Sequence, residues 1–300
     1  MCGIVGLFLK DHALEPELGA MLTDMLVTMT DRGPDSAGIA IYGEPMPGRA
    51  KIVVQSDDRA WDGLGEMLGA DLREKDTHAV LTLDAARVEE ARAQLREERP
   101  DLRIMSTGET LEIYKEVGLP KDVAARFDLA SMSGTHGIGH TRMATESAVT
   151  TMGAHPFNTG PDQCLVHNGS LSNHNSLGRA LRRRGVRIET QNDSEVAAAY
   201  LTWKMGQGAT LGQALTTALD DLDGFFTFVV GTKDGFGVLR DPIACKPAVM
   251  AETDRYVAFG SEYRALVNLP GIDGARVWEP EPATVYFWSH ADGATAMEAA

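Results

Sequence analysis

The chain begins with the stretch MCGIVGLFL (residues 1–9), a cysteine followed by a short apolar run. Residues 3–9 are expected to form a buried strand, because the run is too short for a membrane helix. It has no cationic leader of the kind that starts a signal peptide, so a cytoplasmic location is predicted. Removal of Met1 would give Cys2 both a thiol and an α-amine whose ordinary pKa is about 7.7–8.0. Cys2 is therefore a candidate nucleophile, although a small second residue can also be incidental.

The overall composition limits the classes of partner. The 300 residues carry 28 Lys and Arg against 43 Asp and Glu, a net charge of −15. Such a chain repels polyanions, so we expect no nucleic-acid partner and no membrane partner. Cys2, Cys164 and Cys245 are too few and too scattered for a disulfide framework or a thiolate metal site. The eight histidines show no metal-ligand spacing, so each is expected to be structural, and no metal is predicted.

Hydrophobic periodicity divides the chain into a main domain and an insertion. Strands and helices are grouped rather than strictly alternating, which favours the α+β class. We expect the main domain to comprise residues 1–55 and 131–290, an α/β insertion to occupy 56–130, and a tail to follow at 291–300. Within the insertion, the pattern predicts a βαβ unit and two short helices, with a strand at 78–83, a helix at 85–99, a strand at 102–106 and helices near 109–117 and 120–127.

Asn168-Gly169 follows a predicted strand and allows two interpretations. Asn-Gly is a frequent hairpin turn, so a plain turn is one of them. The other is an oxyanion hole, in which the Asn amide and the Gly N–H stabilise the negative oxygen of a tetrahedral intermediate.

Arg142 and Asp193 are candidate substrate-binding residues. A guanidinium suits a planar carboxylate, although a surface salt bridge is the commoner fate of one arginine. Asp193 begins a predicted helix, where it could be an N-cap or could pair with a ligand ammonium group. Together the two charges suit an α-amino acid.

In this order, the motifs resemble the class II glutamine amidotransferase (glutaminase) domain, a member of the N-terminal-nucleophile hydrolases. The matching segments span nearly the whole chain and comprise residues 1–6, 32–38, 140–145, 154–157, 167–169, 193–195, 222–224, 240–242 and 260–262. The resemblance implies a four-layer αββα sandwich. It also implies that free glutamine is the substrate.

The resemblance assigns a role to each candidate residue. It implies that Cys2 is the nucleophile, that Asn168 and Gly169 form the oxyanion hole, and that Arg142 and Asp193 bind the α-carboxylate and α-amino groups. Supporting roles are implied for Arg32, Asp35, His140 and Thr145, with Arg32 and Asp35 bracing the nucleophile strand. Two departures from the family pattern, Ala144 and Lys246, are expected to lie away from the catalytic set.

The glutaminase pattern continues to about Phe287, so we expect the liberated ammonia to be used on another polypeptide. The first residues look most like the separate amidotransferase subunit of N-methylglutamate synthase and its glutamate-synthase-like relatives. Partners there resemble an FMN and iron–sulfur synthase domain and a Gly-rich β-helix domain. No cofactor is expected in this chain, since it lacks cysteine ligands for a cluster. Two alternatives stay open: a stand-alone amidase of the same fold, and a non-catalytic subunit that senses glutamine.

Overall fold

The computed structural model describes residues 2–144 and 148–290, so Met1, Thr145 and the predicted tail 291–300 lie outside the described residues. Within these ranges the chain forms sixteen strands: β1 Gly3–Leu9, β2 Ser36–Tyr42, β3 Arg49–Gln55, β4 Asp71–Lys75, β5 His78–Asp84, β6 Arg103–Gly108, β7 Leu111–Val117, β8 His136–Arg142, β9 Phe157–Gly160, β10 Gln163–Leu171, β11 Gly224–Gly231, β12 Gly235–Arg240, β13 Val249–Glu252, β14 Tyr256–Gly260, β15 Arg276–Trp278 and β16 Thr284–Ser289. The same ranges hold seven α-helices: α1 Leu18–Thr28, α2 Leu64–Leu68, α3 Val88–Glu98, α4 Pro120–Arg126, α5 His174–Arg183, α6 Asp193–Gly206 and α7 Leu211–Asp221.

Two sheets form the centre of the molecule. One has seven strands in the order β15-β13-β14-β1-β8-β2-β7, and the other has five in the order β16-β12-β11-β10-β9. Strands β1 and β8 of the first sheet contact β10 and β11 of the second, so the sheets face each other. Helices α1 and α4 cover the seven-stranded sheet, while α6 and α7 cover the five-stranded sheet. The expected four-layer αββα sandwich is confirmed.

Strand β1 lies in the middle of the seven-stranded sheet, antiparallel to both β14 and β8. All seven of its residues are buried, because α1 covers one face and the second sheet covers the other. Gly6 makes the close approach of the sheets possible: a Cβ there would lie 2.8 Å from the Phe236 ring. The apolar run read from the sequence is therefore a core strand that places Cys2 at its start.

A separate four-stranded sheet, in the order β4-β5-β3-β6, forms the insertion. Strands β5 and β6 are each antiparallel to β3, so they are parallel to each other and α3 connects them. This is the predicted βαβ unit, with β3 between its two strands. Ala91 and Leu95 of α3 pack into the apolar core of the insertion, and the charged residues of α3 lie around them.

The boundaries of the insertion differ from those expected from the sequence. β3, placed in the main domain by the sequence, is a central strand of the inserted sheet. Residues 111–117, expected to be helical, form β7 and pair with β2 at the edge of the seven-stranded sheet. The alternation of Leu111, Ile113 and Lys115 is strand-like, but a buried lysine interrupts the apolar signal.

No helix among the described residues is both long enough and apolar enough to cross a membrane. Likewise, no group of three or more His, Cys, Asp or Glu side chains among them is arranged to hold a metal ion.

Candidate active site

A cavity of about 820 Å³ opens between the two sheets, at the end where β1 begins. Its lining includes all five residues that the sequence assigned to catalysis or substrate binding: Cys2, Arg142, Asn168, Gly169 and Asp193. Cys2 precedes β1, Arg142 ends the adjacent β8, Asn168 and Gly169 belong to β10 of the facing sheet, and Asp193 begins α6. The fold therefore brings together residues from four separate parts of the chain.

The main chain of Cys2 is held from two sides. Its carbonyl oxygen accepts hydrogen bonds from Arg32 Nε at 3.0 Å and from Asn168 Nδ2 at 3.2 Å. Arg32 is itself fixed by an ion pair with Glu262 at 2.6 Å. The thiol lies 4.0 Å from the carbonyl oxygen of Met143 and lines the cavity. Arg32 therefore acts as a positioning residue for Cys2.

Asn168 and Gly169 lie inside a strand, so the hairpin-turn interpretation is wrong. β10 pairs with β11 along its length, whereas its pairing with β9 ends at Leu165. Beyond that point no described strand covers the second edge of β10, and this edge borders the cavity. Gly169 adopts φ +153, and a Cβ there would lie 2.0 Å from the Phe225 carbonyl oxygen. Only glycine fits this close approach.

Arg142 and the segment after it are held by Asp35. The Asp35 backbone N–H donates to the Arg142 carbonyl at 3.1 Å, and its carboxylate accepts from the Ala144 N–H at 2.8 Å. Asp35 thus braces the segment after β8 and not the nucleophile strand, which corrects part of the expectation. The Arg142 guanidinium is largely buried and donates to the Ala148 carbonyl at 3.3 Å.

Asp193 is not the N-cap of α6. Asn192 caps the helix by accepting the Ser194 N–H at 2.9 Å, so the carboxylate of Asp193 is left for another role. One of its oxygens accepts the Leu171 N–H at 2.9 Å. Burial raises the pKa of Asp193, but His167 and the Leu171 N–H outweigh it and lower the pKa to about 2. An ionised carboxylate therefore borders the cavity, as an ammonium ligand requires.

A chain of hydrogen bonds that the sequence analysis did not foresee lies behind Asp193. The Ser194 hydroxyl contacts His155 Nε2 at 2.7 Å and His167 Nδ1 at 2.9 Å. The hydroxyl also contacts Asp193 Oδ1 at 3.3 Å. Its single proton goes to one of these three partners, and a ring nitrogen that does not receive it donates to the hydroxyl oxygen, which links the tautomers of the two rings. The His140 ring packs on His155, with centroids 4.1 Å apart. Burial lowers the pKa of His140 to about 3 and that of His155 well below its ordinary value, so both rings are neutral near pH 7.

The remaining predicted residues divide into three cases. His140 lies behind the cavity, with Nε2 3.3 Å from the His167 carbonyl, which fits a supporting position. Thr145 lies outside the described residues. Ala144 and Lys246, expected away from the site, both line the cavity, and the Lys246 ammonium lies 5.0 Å from the centroid of the Phe225 ring. Ala144 is two residues from Arg142, so its place in the lining could have been inferred, whereas no local pattern places Lys246 there.

Comparison with known proteins identifies the family. A family model described as a glutamine amidotransferase domain matches residues 140–268. The glutamine amidotransferase-like protein GlxB of Rhizobium meliloti is 71% identical over 97% of this chain and 99% of its own length. A putative glutamine amidotransferase of Methanothermobacter thermautotrophicus is 34% identical over 95% of this chain and 98% of its own.

Solved structures show the same fold at lower identity. The glutamine phosphoribosylpyrophosphate amidotransferase from B. subtilis superposes with a TM-score of 0.64 at 20% identity. That match covers 99% of this chain but 49% of the other, so this chain spans about half the length of that protein. The two relatives matched along nearly their whole length and this shared fold show the family: the chain belongs to the class II glutamine amidotransferases and has their N-terminal-nucleophile hydrolase fold.

Proposed function

We propose that this chain hydrolyses the side-chain amide of free glutamine to glutamate and ammonia, with Cys2 as the nucleophile. One observation carries the proposal: a thiol, a candidate oxyanion donor pair, a buried guanidinium and an ionised carboxylate line a single cavity. A cavity of about 820 Å³ is ample for one amino acid.

The chemistry proceeds in two steps. After removal of Met1, the free α-amine of Cys2 takes the thiol proton while Sγ attacks the amide carbon of glutamine. The developing oxyanion accepts hydrogen bonds from Asn168 Nδ2, which has a second proton beyond the one given to the Cys2 carbonyl, and from the Gly169 N–H. The α-ammonium returns the proton to the leaving nitrogen, and ammonia departs from a γ-glutamyl thioester. Water then attacks the thioester, releasing glutamate and restoring the thiol.

Arg142 and Asp193 supply the selection for an amino acid. The guanidinium pairs with the α-carboxylate of glutamine, and the Asp193 carboxylate pairs with the α-ammonium group. Charge-assisted pairs in a partly buried site favour a zwitterion strongly over a neutral acyl amide. A stand-alone amidase for lipophilic substrates would require neither charge, so the pair favours glutamine.

We further infer that the ammonia passes to a separate synthase of the N-methylglutamate synthase or glutamate-synthase-like kind. One observation supports a separate acceptor. Exposed apolar side chains lie at the cavity: Met143 lines it, Val149 lies between two lining residues in sequence, and Phe225 packs under the lining residue Lys246. Apolar side chains around the mouth of the cavity fit the apolar centre of a protein–protein interface.

The proposal assigns FMN and iron–sulfur clusters to that partner. The three cysteines here do not form a cluster site: Cys2 lines the cavity, Cys245 is exposed, and Cys164 is buried in β10, where the Tyr42 hydroxyl donates to it at 3.3 Å. A cluster requires several cysteine thiolates at one point. The donor set of this chain therefore does not fit such a group.

Co-purification from the native cell tests the proposal. We expect synthase subunits to accompany the chain and glutamine turnover to be higher in the complex than in the isolated chain. Full activity of the isolated chain, with no associated subunits and all ammonia released to solvent, would favour the stand-alone amidase. Glutamine binding without turnover, in both the complex and the isolated chain, would favour the sensing subunit.

A further inference from the structure

A second cavity of about 300 Å³ lies between helix α3 of the insertion and the segment 185–190 of the main domain. Three arginines and one lysine line it: Arg92 and Arg96 from α3, Arg187, and Lys115 from β7, whose pKa burial lowers to about 7. The only acids in its lining are Glu189 and Glu195. In a chain of net charge −15, such a concentration of cations is unusual.

The positive charges and N–H donors of Arg92 and Arg96 are only partly matched by acids and acceptors. The Nε atoms of Arg92 and Arg96 are buried and have no hydrogen-bond partner in the described part of the chain. Arg92 pairs with Glu89 through another nitrogen at 2.5 Å, but Arg96 has no hydrogen bond or ion pair with any described residue. Burial and then repulsion from Arg92 and Arg187 lower the pKa of Arg96 by more than the nearby carboxylates of Glu189 and Glu89 raise it. Like charges held this way destabilise each other unless an anion lies between them.

The two acids of the cavity are already engaged. Glu189 pairs with Arg187 at 2.7 Å. The Glu195 carboxylate accepts the backbone N–H groups of Glu189 and Thr190, both at 2.6 Å. Lys115, only 3% exposed, gives two of its three N–H donors to the carbonyls of Ala154 and Pro156. The cavity thus retains donor capacity and positive charge that its own acids leave unused.

We propose that this cavity is a regulatory site for a small oxyanion, the carboxylate or phosphate group of a metabolite, held by Arg92, Arg96 and Arg187. Guanidinium groups bind both oxyanions through paired hydrogen bonds. A volume of about 300 Å³ admits a compact metabolite.

The wall between the two cavities couples anion binding in the second cavity to glutamine binding in the first. Met152 and Thr190 line both of them. The Thr190 N–H donates to the Glu195 carboxylate in the first turn of α6, and Asp193 lies between these two residues in sequence. An anion bound by Arg187 therefore fixes the segment that leads to Asp193 and raises the affinity for glutamine. This coupling rests on the proposed function of Asp193, whereas anion binding itself does not.

Calorimetric titration of the full chain with sodium phosphate and, separately, with sodium succinate tests the site. We expect saturable binding of at least one anion, and the one that binds more tightly identifies the preferred chemistry. Arg96→Met should weaken that binding about tenfold or more. Arg183→Met, which removes an exposed cation from α5 outside the cavity, is the matched control and should leave binding unchanged. Arg96→Met should not lower the melting temperature of the anion-free protein, since it removes an unpaired and repelled charge.

The coupling has its own readout in a Cys2→Ala background, where no turnover occurs. Saturating anion should tighten glutamine binding about fivefold or more. Absence of binding for both anions, or equal binding by the Arg96→Met and wild-type chains, would overturn the site. An unchanged glutamine affinity would overturn the regulatory role. Because anion binding is measured without glutamine hydrolysis, failure of the proposed glutaminase chemistry would be seen separately.

Discussion

The Asn168 side-chain amide donates a hydrogen bond to the Cys2 carbonyl oxygen across 3.2 Å, joining residues that are 166 positions apart. The contact connects the start of β1 in one sheet to β10 in the facing sheet. It therefore fixes the distance between the proposed nucleophile and the proposed oxyanion donor. Catalysis by an oxyanion hole depends on such preorganised placement.

Asn168→Ala should mainly lower turnover. The lost donor interacts most strongly with the negative oxygen of the transition state, so kcat should fall about 100- to 1000-fold. The KM for glutamine should change little, and steady-state kinetics with ammonia detection measures both. A matched control is Asn268→Ala, since Asn268 is exposed and lines neither the Cys2 cavity nor the second cavity. A selective rise in KM with unchanged kcat would assign Asn168 to substrate binding instead.

Arg142→Lys and Asp193→Asn should mainly weaken glutamine binding. Lysine keeps the charge of Arg142 without its paired donors, while asparagine can keep the bond to the Leu171 N–H without the carboxylate charge. Leaving a buried partner charge unpaired costs about 2–5 kcal/mol, and Asp193→Asn should approach that range. Calorimetry in the Cys2→Ala background gives the dissociation constants. If both substitutions leave glutamine affinity intact, the two residues do not hold its charged groups.

Acidification below pH 6.5 should destabilise the fold. Burial lowers the pKa values of His78, His136 and His140 to about 3, whereas an unfolded histidine titrates near 6.5. Below pH 6.5 the unfolded chain therefore binds protons that the folded chain does not. Each such histidine lowers the free energy of unfolding by about 1.4 kcal/mol at pH 5.5.

His78→Phe tests this sign directly, because His78 packs edge-on against Phe127 with ring centroids 4.8 Å apart and phenylalanine cannot titrate. Urea unfolding at pH 6.5 and 5.5 should show a smaller loss of stability for this variant than for the wild type. Leu95→Ala, in the core of the insertion, serves as the control and should lower stability equally at both pH values. An unchanged pH dependence in His78→Phe would contradict the prediction.

The catalytic candidates could be predicted from the sequence because each has a chemical reason to occupy its motif. Cys2 needs a free amine, and Arg142 and Asp193 suit the two charges of an amino acid. Ser194, His155 and His167 could not be predicted, because their hydrogen bonds join residues 27 and 39 positions apart. No local pattern encodes such contacts.

Two parts of the fold escaped prediction for different reasons. β7 was expected to be helical because the buried Lys115 occupies a position where the strand pattern would have an apolar residue. β3 lies within the range 1–55 assigned to the main domain, but nothing local determines which sheet it joins. Its partners β5 and β6 begin at His78 and Arg103, well beyond the strand itself.

The most direct measurement is mass spectrometry of the active protein after reaction with a diazo-ketone analogue of glutamine. The analogue alkylates the nucleophilic thiol and loses dinitrogen, leaving a stable adduct. We expect an intact mass that lacks Met1 and carries one adduct, which peptide mapping places on Cys2. Cys245→Ala, which removes the exposed cysteine, should be labelled like the wild type, and Cys2→Ala should not be labelled. An adduct on another residue, or full activity in protein that retains Met1, would contradict Cys2 as an N-terminal nucleophile.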